Sequence, residues 1–522
     1  MTISISQTVV CNSQNETEKL AQMLSLWAKP GQVIALQGEL GSGKSTFARA
    51  FIKALAKPDD NFDVPSPSFS LVQLYENTRV PVAHIDLYRL NTAREAEDLG
   101  LGELLSQHIL LIEWPERMFE ALASSTLTLN FYGNGHIREI SIKAEGAWVG
   151  ALDRNETIKT FLNLQNYGNA ERVFFEGDAS SRRYEKLHSD GKQVLLMDMP
   201  QRPDGPSVKN GKPYSQIAHL AENIKSVICV NGILENLGGY STPKTIAFDY
   251  AKGLAIIEDL GNQVFGKMLL AGKDMTEPML TAAELLADLG QRAQTDKMNF
   301  FVWGSYTIPP YDEAALLIET ELLPKWFWPH INNTEPPEEI VTSFDAVWRK
   351  ILPLAQQKSL QIVMRDFHSP NLLWIPDRKG ILRVGLIDTQ DAVMGHAAYD
   401  LVSMIQDARV DIPEKIARQT FEHYIALRKA KPNFTTGTLT IANKDDFSET
   451  EFKTAYAILG AQRATKILGI FARLNKRDGK PAYLKHMPRV SRYLAQNLEH
   501  PALAELKEWY LNNLPEALTV KP

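Results

Sequence analysis

The sequence predicts an α/β domain built on a mainly parallel sheet, followed by a larger two-lobed α+β domain. Three observations carry this. From the start to about residue 146, short apolar strands alternate with helical stretches, the pattern of a sheet covered by helices. From about residue 155 the chain opens strand-rich and becomes largely helical after Lys267. The full 522 residues also exceed what one ordinary core organises.

Taken in order, residues 32–36 are compact, β-rich and closed by glycines, which predicts a buried strand. A helix over 45–56 starts directly after those glycines. Val82–Asp86 and Ile109–Glu113 are two further strands, each ending in an acidic residue. Residues 127–131 and 136–142 read as a closing strand pair around Gly133-Asn134-Gly135. Between 144 and 155 the periodicity lapses, and the boundary is expected there, giving domains 1–146 and 155–522. The second domain begins with strands over 173–187 and 193–199 around a turn. Residues 200–213, rich in Pro, Gly and Lys, are expected to form a mobile surface loop.

Composition narrows the function classes. With 44% hydrophobic and 23% charged residues the chain is globular, not disordered. A net charge of −6 argues against a broad basic surface for coating nucleic acid. Cys11 and Cys229 are the only cysteines and lie in no metal-ligand spacing, which fits a reducing compartment. The opening Met1-Thr2-Ile3-Ser4 lacks a basic segment followed by an apolar run, so no signal peptide is expected. No uncharged apolar stretch approaches the length of a bilayer span. A cytoplasmic chain without membrane association is the expectation.

Gly38-Glu39-Leu40-Gly41-Ser42-Gly43-Lys44-Ser45 matches G-x-x-x-x-G-K-[ST] between a strand and a helix, as in P-loop NTPase domains. The glycines let backbone N–H groups curl around phosphate oxygens, and the helix N-terminus adds partial positive charge. Lys44 would reach the β- and γ-phosphates of ATP and the Ser45 hydroxyl would ligate Mg²⁺. Gly38, Glu39, Gly41, Ser42, Gly43, Lys44, Ser45 and Thr46 form the expected nucleotide-binding set. Hydrolysis also needs an acid near the metal and a group to orient water. Asp86 and Glu113, at the carboxyl ends of their strands, could supply these or be solvated loop residues.

The first domain resembles the TsaE family, the ATPase of bacterial tRNA threonylcarbamoyladenosine synthesis. The residues that carry the resemblance are the P-loop, Val64-Pro65-Ser66-Pro67-Ser68-Phe69-Ser70-Leu71, His84-Ile85-Asp86-Leu87-Tyr88-Arg89-Leu90, and Leu111-Ile112-Glu113-Trp114-Pro115-Glu116. The family usually carries Thr where this chain has Ser68, which keeps the hydroxyl. The resemblance implies that Asp86 and Glu113 support Mg²⁺ and hydrolysis, and that Ser68 lies in a switch-like loop. It also implies partners of the TsaD and TsaB type, with any contact to tRNA indirect. Trp114 would stack near the base or fill the core.

A second cluster, Arg365-Asp366-Phe367-His368-Ser369-Pro370-Asn371, has the Asp-x-x-x-x-Asn spacing of a kinase catalytic loop. Asp366 would accept the acceptor's hydroxyl proton and Asn371 would hold Mg²⁺. Downstream, Val384-Gly385-Leu386-Ile387-Asp388 ends in a carboxylate placed as a second metal ligand. Thr389-Gln390-Asp391 departs from the protein-kinase pattern.

That departure resembles the aminoglycoside-phosphotransferase-like kinases, a protein-kinase-like fold acting on small molecules. Residues 175–184 (Phe175-Glu176-Gly177-Asp178-Ala179-Ser180-Ser181-Arg182-Arg183-Tyr184) would cover the phosphates. The backbone at Glu258 and Leu260, in the inter-lobe hinge of residues 255–261, would hold adenine. Within that superfamily the chain is similar to the AmgK group of N-acetylmuramate and N-acetylglucosamine anomeric kinases. The likeness rests on Gly177-Asp178-Ala179-Ser180 with Arg182-Arg183-Tyr184, Met197-Asp198-Met199-Pro200, Asp388-Thr389-Gln390-Asp391-Ala392 and Gln462-Arg463. It rests also on Leu468-Gly469-Ile470-Phe471-Ala472-Arg473-Leu474 and Arg477-Asp478-Gly479-Lys480.

One expected part is missing: the strand at Val194-Leu195-Leu196-Met197-Asp198 carries no lysine for the α- and β-phosphates. Arg182 or Arg183 would supply that charge, or both form a solvated pair. Glu222, expected on the helical stretch after the loop, falls in the region of the glutamate that normally pairs with that lysine. Tyr311, Trp326, Phe327 and Trp328 suit a sugar face but favour the core. Arg463, Lys466, Arg473 and Arg477 recur along one helix and bind a carboxylate or form a solvated face. The expectation is a bifunctional chain using ATP and Mg²⁺ at two sites, one a tRNA-modification ATPase, the other an amino-sugar kinase. The alternatives for the second domain are a kinase for choline, an aminoglycoside or another alcohol, and a nucleotide-binding pseudokinase.

Overall fold

The computed structural model describes residues 4–57, 62–90, 95, 99–117, 125–133, 137–175, 182–201, 203–292, 296–300, 302, 304–356, 360–430 and 447–521. The chain forms two compact units: Met1–Glu176 with Glu185–Gln193, and Gly177–Tyr184 with Val194–Pro522.

In the first unit, β1 (Ser4–Cys11), β2 (Val33–Gly38), β3 (Val72–Tyr75), β4 (Val82–Asp86), β5 (Ile109–Glu113), β6 (Thr126–Tyr132) and β7 (Arg138–Glu145) make one sheet. Its order is β1-β7-β6-β2-β5-β4-β3. The central β6, β2, β5 and β4 run parallel, and the sheet is antiparallel towards both edges. Central strands in such a sheet are covered on both faces, which is why β4 and β5 are buried throughout.

Side chains alternate between those faces. Ile34 and Leu36 of β2, Val82 of β4, and Ile109 and Leu111 of β5 pack with helices α1 (Gln14–Ser25) and α2 (Lys44–Leu55). Val33, Ala83, Ile85, Leu110 and Ile112 pack on the opposite face beside Leu101, Leu104 and Leu105 of α3 (Leu101–Gln107). By the same alternation, residues 84, 86 and 113 share the α2 face. This places both acidic strand ends beside the glycine-rich turn.

The lapse expected between 144 and 155 is instead part of a continuous helix, α4 (Ala147–Leu164). Trp148, Leu152, Ile158, Phe161 and Leu162 are buried at helical spacing, and Trp148 and Leu152 enter the core of the first unit. Gly150 and the polar run from Asp153 to Thr157 mask that period in the sequence. The edge strands β1 and β3 and helix α1 carry weaker signals and were not expected.

The strand-rich opening of the second domain comprises Glu171–Phe175, Arg183–Ser189 and Lys192–Asp198. The proposed phosphate-covering residues Glu176 to Ser181 lie outside the described residues, as do Asn134 to His136 of the first unit's hairpin. Within the second unit, residues 194–198 pair antiparallel with Leu254–Glu258, which pairs in turn with Thr245–Asp249. The Pro- and Gly-rich loop contains a short hairpin, Ser207–Lys209 with Lys212–Pro213, exposed except at Pro213. Beyond it the unit is mainly helical, with one large core that includes Phe327, Trp348, Tyr399 and Leu468. Tyr311 and Phe327 are buried, and Trp326 and Trp328 pack against that core, so the aromatic stretch is structural. The longest helix, Glu449–Asp478, crosses this core. A Cβ at Gly469 would collide with the backbone of Leu322, so only glycine permits that close approach.

Candidate functional site

In the first unit the P-loop leaves β2 and turns into α2. Gly38 has φ 135°, and a Cβ there would meet the Phe131 carbonyl oxygen at 2.6 Å. Gly41 and Gly43 also have positive φ, and Gly43 caps α2 in the left-handed region. The Lys44 ammonium donates to the carbonyls of Gly38 and Glu39 at 2.7 and 2.9 Å. It lies 4.0 Å from the centroid of the Trp114 ring, and Tyr88 packs against that ring at 5.0 Å. Burial lowers the Lys44 pKa, partly offset by Glu113, Glu116 and Asp86. Trp114 is thus half-buried over the P-loop lysine, a position between the two roles expected for it. Ser42 is buried in the loop and Thr46 half-buried in the first turn of α2.

Both expected carboxylates arrive here because Asp86 and Glu113 are cross-strand partners of the parallel β4 and β5 pair. Glu113 accepts from the Ser45 hydroxyl at 2.8 Å and pairs with His84 Nε2 at 3.0 Å. Asp86 accepts from Ser68 at 2.9 Å, from Ser66 at 3.3 Å and from the Tyr88 N–H at 3.0 Å. The loop of Ser66 and Ser68 is therefore tied to the strand end by hydroxyl groups. Ser66 and His84 were quoted only as motif residues; their spacing from their carboxylate partners is too long for a local signal.

In the second unit the catalytic loop joins Leu360–Val363 to Leu372–Trp374. The latter strand pairs with Val384–Leu386, which carries the chain to Asp388. The Asn371 amide donates to the Asp366 carbonyl at 3.1 Å and to Asp388 Oδ2 at 3.4 Å. Arg365 and Asp388 both hold left-handed φ values, 63° and 62°. Non-glycine residues in that region cost about 1–2 kcal/mol and cluster at functional sites.

Arg182 forms an ion pair with Asp388 Oδ1 and donates to Gln390 Oε1 at 2.7 Å. Arg183 begins its strand, half-buried. Glu258 ends the hinge strand with its carboxylate held by Arg378 at 2.7 Å, and Leu260 is buried just beyond it. Glu222 is not on a helix: it precedes Asn223, which caps Ile224–Gly238, and it lies with Ser215 and Asp204. That helix reaches the catalytic segment through Asn231, whose amide oxygen accepts from the Thr389 hydroxyl at 2.6 Å.

Behind the loop sit groups without a motif. Asp400 accepts the N–H groups of Met364 and Arg365 at 2.7 and 3.0 Å, and Asp407 accepts that of Ser369 at 2.8 Å. Burial pushes the Asp400 carboxyl up to about 7, against the pull of those N–H donors. Glu319, fully buried, pairs with the Arg365 guanidinium and with Lys466 at 2.7 Å, and accepts from Tyr311 at 2.6 Å. Asp366 keeps 40% of its side chain exposed. Burial would raise its pKa, but His368, Lys466, Arg463 and Arg365 together hold it below the usual carboxylate range. A cavity of about 360 Å³ lined by His330, Asn333, Glu335 and Lys476 takes in none of these groups.

The family model described as threonylcarbamoyl adenosine biosynthesis protein TsaE matches residues 11–140. The model described as phosphotransferase enzyme family matches residues 171–432. The N-acetylmuramate/N-acetylglucosamine kinase of Caulobacter vibrioides is 33% identical over 374 residues, 70% of this chain and 97% of that protein. A protein of the same description from Pseudomonas aeruginosa is 30% identical over 354 residues, 66% of this chain and 89% of its own. The tRNA threonylcarbamoyladenosine biosynthesis protein TsaE of Rickettsia felis is 36% identical over 161 residues, 30% of this chain and 93% of its own.

Proposed function

This chain belongs to the TsaE family over its first part and to the phosphotransferase enzyme family over its second, and on that premise we propose that it is bifunctional. The first site hydrolyses ATP in support of tRNA threonylcarbamoyladenosine synthesis, acting with TsaD- and TsaB-type partners in the cytoplasm. The second phosphorylates the anomeric hydroxyl of N-acetylmuramate or N-acetylglucosamine. Among the described residues no helix is long and apolar enough to cross a membrane.

At the kinase site the acceptor oxygen attacks the γ-phosphorus and its proton passes to Asp366. The bond to the β-phosphate oxygen breaks, and ADP leaves with that electron pair. The depressed pKa keeps Asp366 ionised and able to align the hydroxyl from the start. Asn371 and Asp388 meet through the Asn371 amide N–H, and the amide oxygen of the one with the carboxylate of the other would hold Mg²⁺, a donor set that fits this ion. A bound Mg²⁺ would neutralise charge on the phosphates. Asp400 and Asp407 fix the loop backbone so that Asp366 faces the acceptor.

At the ATPase site Ser45 and Asp86 would hold the metal, and Glu113, oriented by His84, would orient the attacking water. Lys44 would exchange its carbonyl partners for phosphate oxygens.

The observation that carries the kinase reading is the joined Asp366, Asn371 and Asp388 constellation in a chain so similar to curated sugar kinases. The test is ATP-dependent phosphorylation of both sugars by the full chain. Sugar 1-phosphate is expected, with the turnover of Asp366→Asn lower by about 10²–10⁴ while ATP still binds. Unchanged turnover in that variant would remove Asp366 as the base.

A further inference from the structure

We propose that Thr389 and Asn231 are positioning residues for Asp388. Their hydrogen bond ties the metal-binding carboxylate to the helix Ile224–Gly238, the link that a lysine–glutamate pair makes in protein kinases. This rests on the kinase reading above, in which Asp388 holds Mg²⁺, and specifies what orients that ligand.

In protein kinases a lysine on the third strand and a glutamate on the following helix pair when the site is assembled. This chain has neither half in place. The strand at 194–198 carries no lysine, and Glu222 lies ahead of the helix, with Ser215 and Asp204. The residue after the metal-binding aspartate also differs, Thr389 standing where protein kinases carry Phe. In the fold these departures meet. The Thr389 hydroxyl donates to the Asn231 amide oxygen at 2.6 Å, and both side chains are buried. The Asn231 amide nitrogen donates to the Pro243 carbonyl at 3.3 Å. A carbonyl only accepts, so the amide oxygen is the atom left to face Thr389.

Asp388 needs such a hold. Its φ of 62° is one that a non-glycine residue keeps only where its surroundings impose it. Ties flank it on both sides, all of them to the stretch of chain from Ala221 to Ser241. Before it, the Leu386 N–H donates to the Ser241 carbonyl at 2.8 Å. After it, Thr389 meets Asn231, and Asp391 accepts from the Ala221 N–H at 2.6 Å. Of these the Thr389 bond is nearest to Asp388 in sequence, and it alone joins two buried side chains. Without the hydroxyl, the Asn231 oxygen would lie buried and unpaired. The turn Thr389–Asp391 would lose its anchor on the helix, and Asp388 would be held less firmly towards Asn371.

The test is Thr389→Val, which keeps the side-chain shape and removes the hydroxyl. It is made in the full chain carrying Lys44→Ala, so that the P-loop site does not contribute. Mn²⁺ binding with a non-hydrolysable ATP analogue is followed by electron paramagnetic resonance. Affinity for Mn²⁺ should fall by about three- to tenfold, the scale of one buried hydrogen bond. In sugar phosphorylation the Mg²⁺ concentration giving half-maximal rate should rise by the same factor. The KM for the sugar should stay within about twofold, since neither residue is assigned to the acceptor. Thr389→Ser should restore the metal affinity. Asn231→Ala breaks the same bond from the helix and serves if Thr389→Val does not fold; the two together should lose little more than either alone. Unchanged metal affinity, with or without a lower denaturant midpoint, would reduce the contact to a structural one and overturn the proposal. So would a loss that Thr389→Ser does not restore. The binding measurement needs no sugar, so a chain that binds metal and nucleotide but phosphorylates neither sugar would overturn the acceptor assignment alone. No metal-dependent nucleotide binding in the Lys44→Ala chain would overturn the kinase reading and this proposal with it.

Discussion

Arg182 lies 206 positions before Asp388 in the chain, yet the two side chains meet as an ion pair at the catalytic segment. The strand at 194–198 lacks the usual phosphate-gripping lysine, and Arg182 puts a cation beside Asp388, the carboxylate expected to hold Mg²⁺. Arg182→Ala should raise the KM for ATP in sugar phosphorylation by about tenfold, the scale of one charge-assisted hydrogen bond. An unchanged KM would return the role to Arg183 or to a backbone turn. Asp86 and Glu113 were legible as residues because each ends an apolar strand. Their bonds to Ser68, Ser45 and His84 were not, since those depend on how strands and loops fold together. Glu222 shows the reverse error: its position in the sequence suggested a helix that begins only after Asn223.

Among elements, Glu319 is the point where three segments meet. The helix Glu313–Thr320 carries it, Arg365 brings the catalytic loop and Lys466 the long helix. Burial would raise its pKa, but Lys466 and Arg365 push it down to about 2. A depressed carboxyl stabilises the fold above its ordinary pKa, and that contribution is lost as pH falls from about 4.5 towards 2. Glu319→Gln should therefore cost about 3–5 kcal/mol at pH 7, where it strands two buried cations. Denaturant midpoints should also depend less on pH in the variant than in the wild type between pH 5 and 3. None of this network has a sequence signature, because its members lie tens to hundreds of residues apart. Helix α4 was missed for a different reason: its apolar period is interrupted by Gly150 and a polar run.

Over the whole molecule, each unit carries its own candidate nucleotide-handling motifs, so on the proposed function the intact chain should bind two equivalents of ATP. Lys44→Ala and Asp388→Asn should each lower the calorimetric stoichiometry or affinity of one class of site, and Lys44→Ala should leave sugar phosphorylation unchanged. One class of site in the wild type would contradict the bifunctional reading. The motifs made this much visible because P-loop and catalytic-loop spacings are local and tied to a strand and its following turn. What folds around them, such as the antiparallel edges of the first sheet and the supports at Asp400 and Asp407, depends on pairings that no local pattern encodes.

Both thiols are buried, Cys11 at the end of β1 and Cys229 in the helix Ile224–Gly238, one in each unit. Burial raises the pKa of each, that of Cys229 to about 11, and only the thiolate attacks maleimides. The native chain therefore offers a nearly silent background for chemical labelling. Single cysteines placed on the surface of each unit could carry a dye pair without removing either natural thiol. Energy transfer between them would then follow whether ATP at one site is felt at the other.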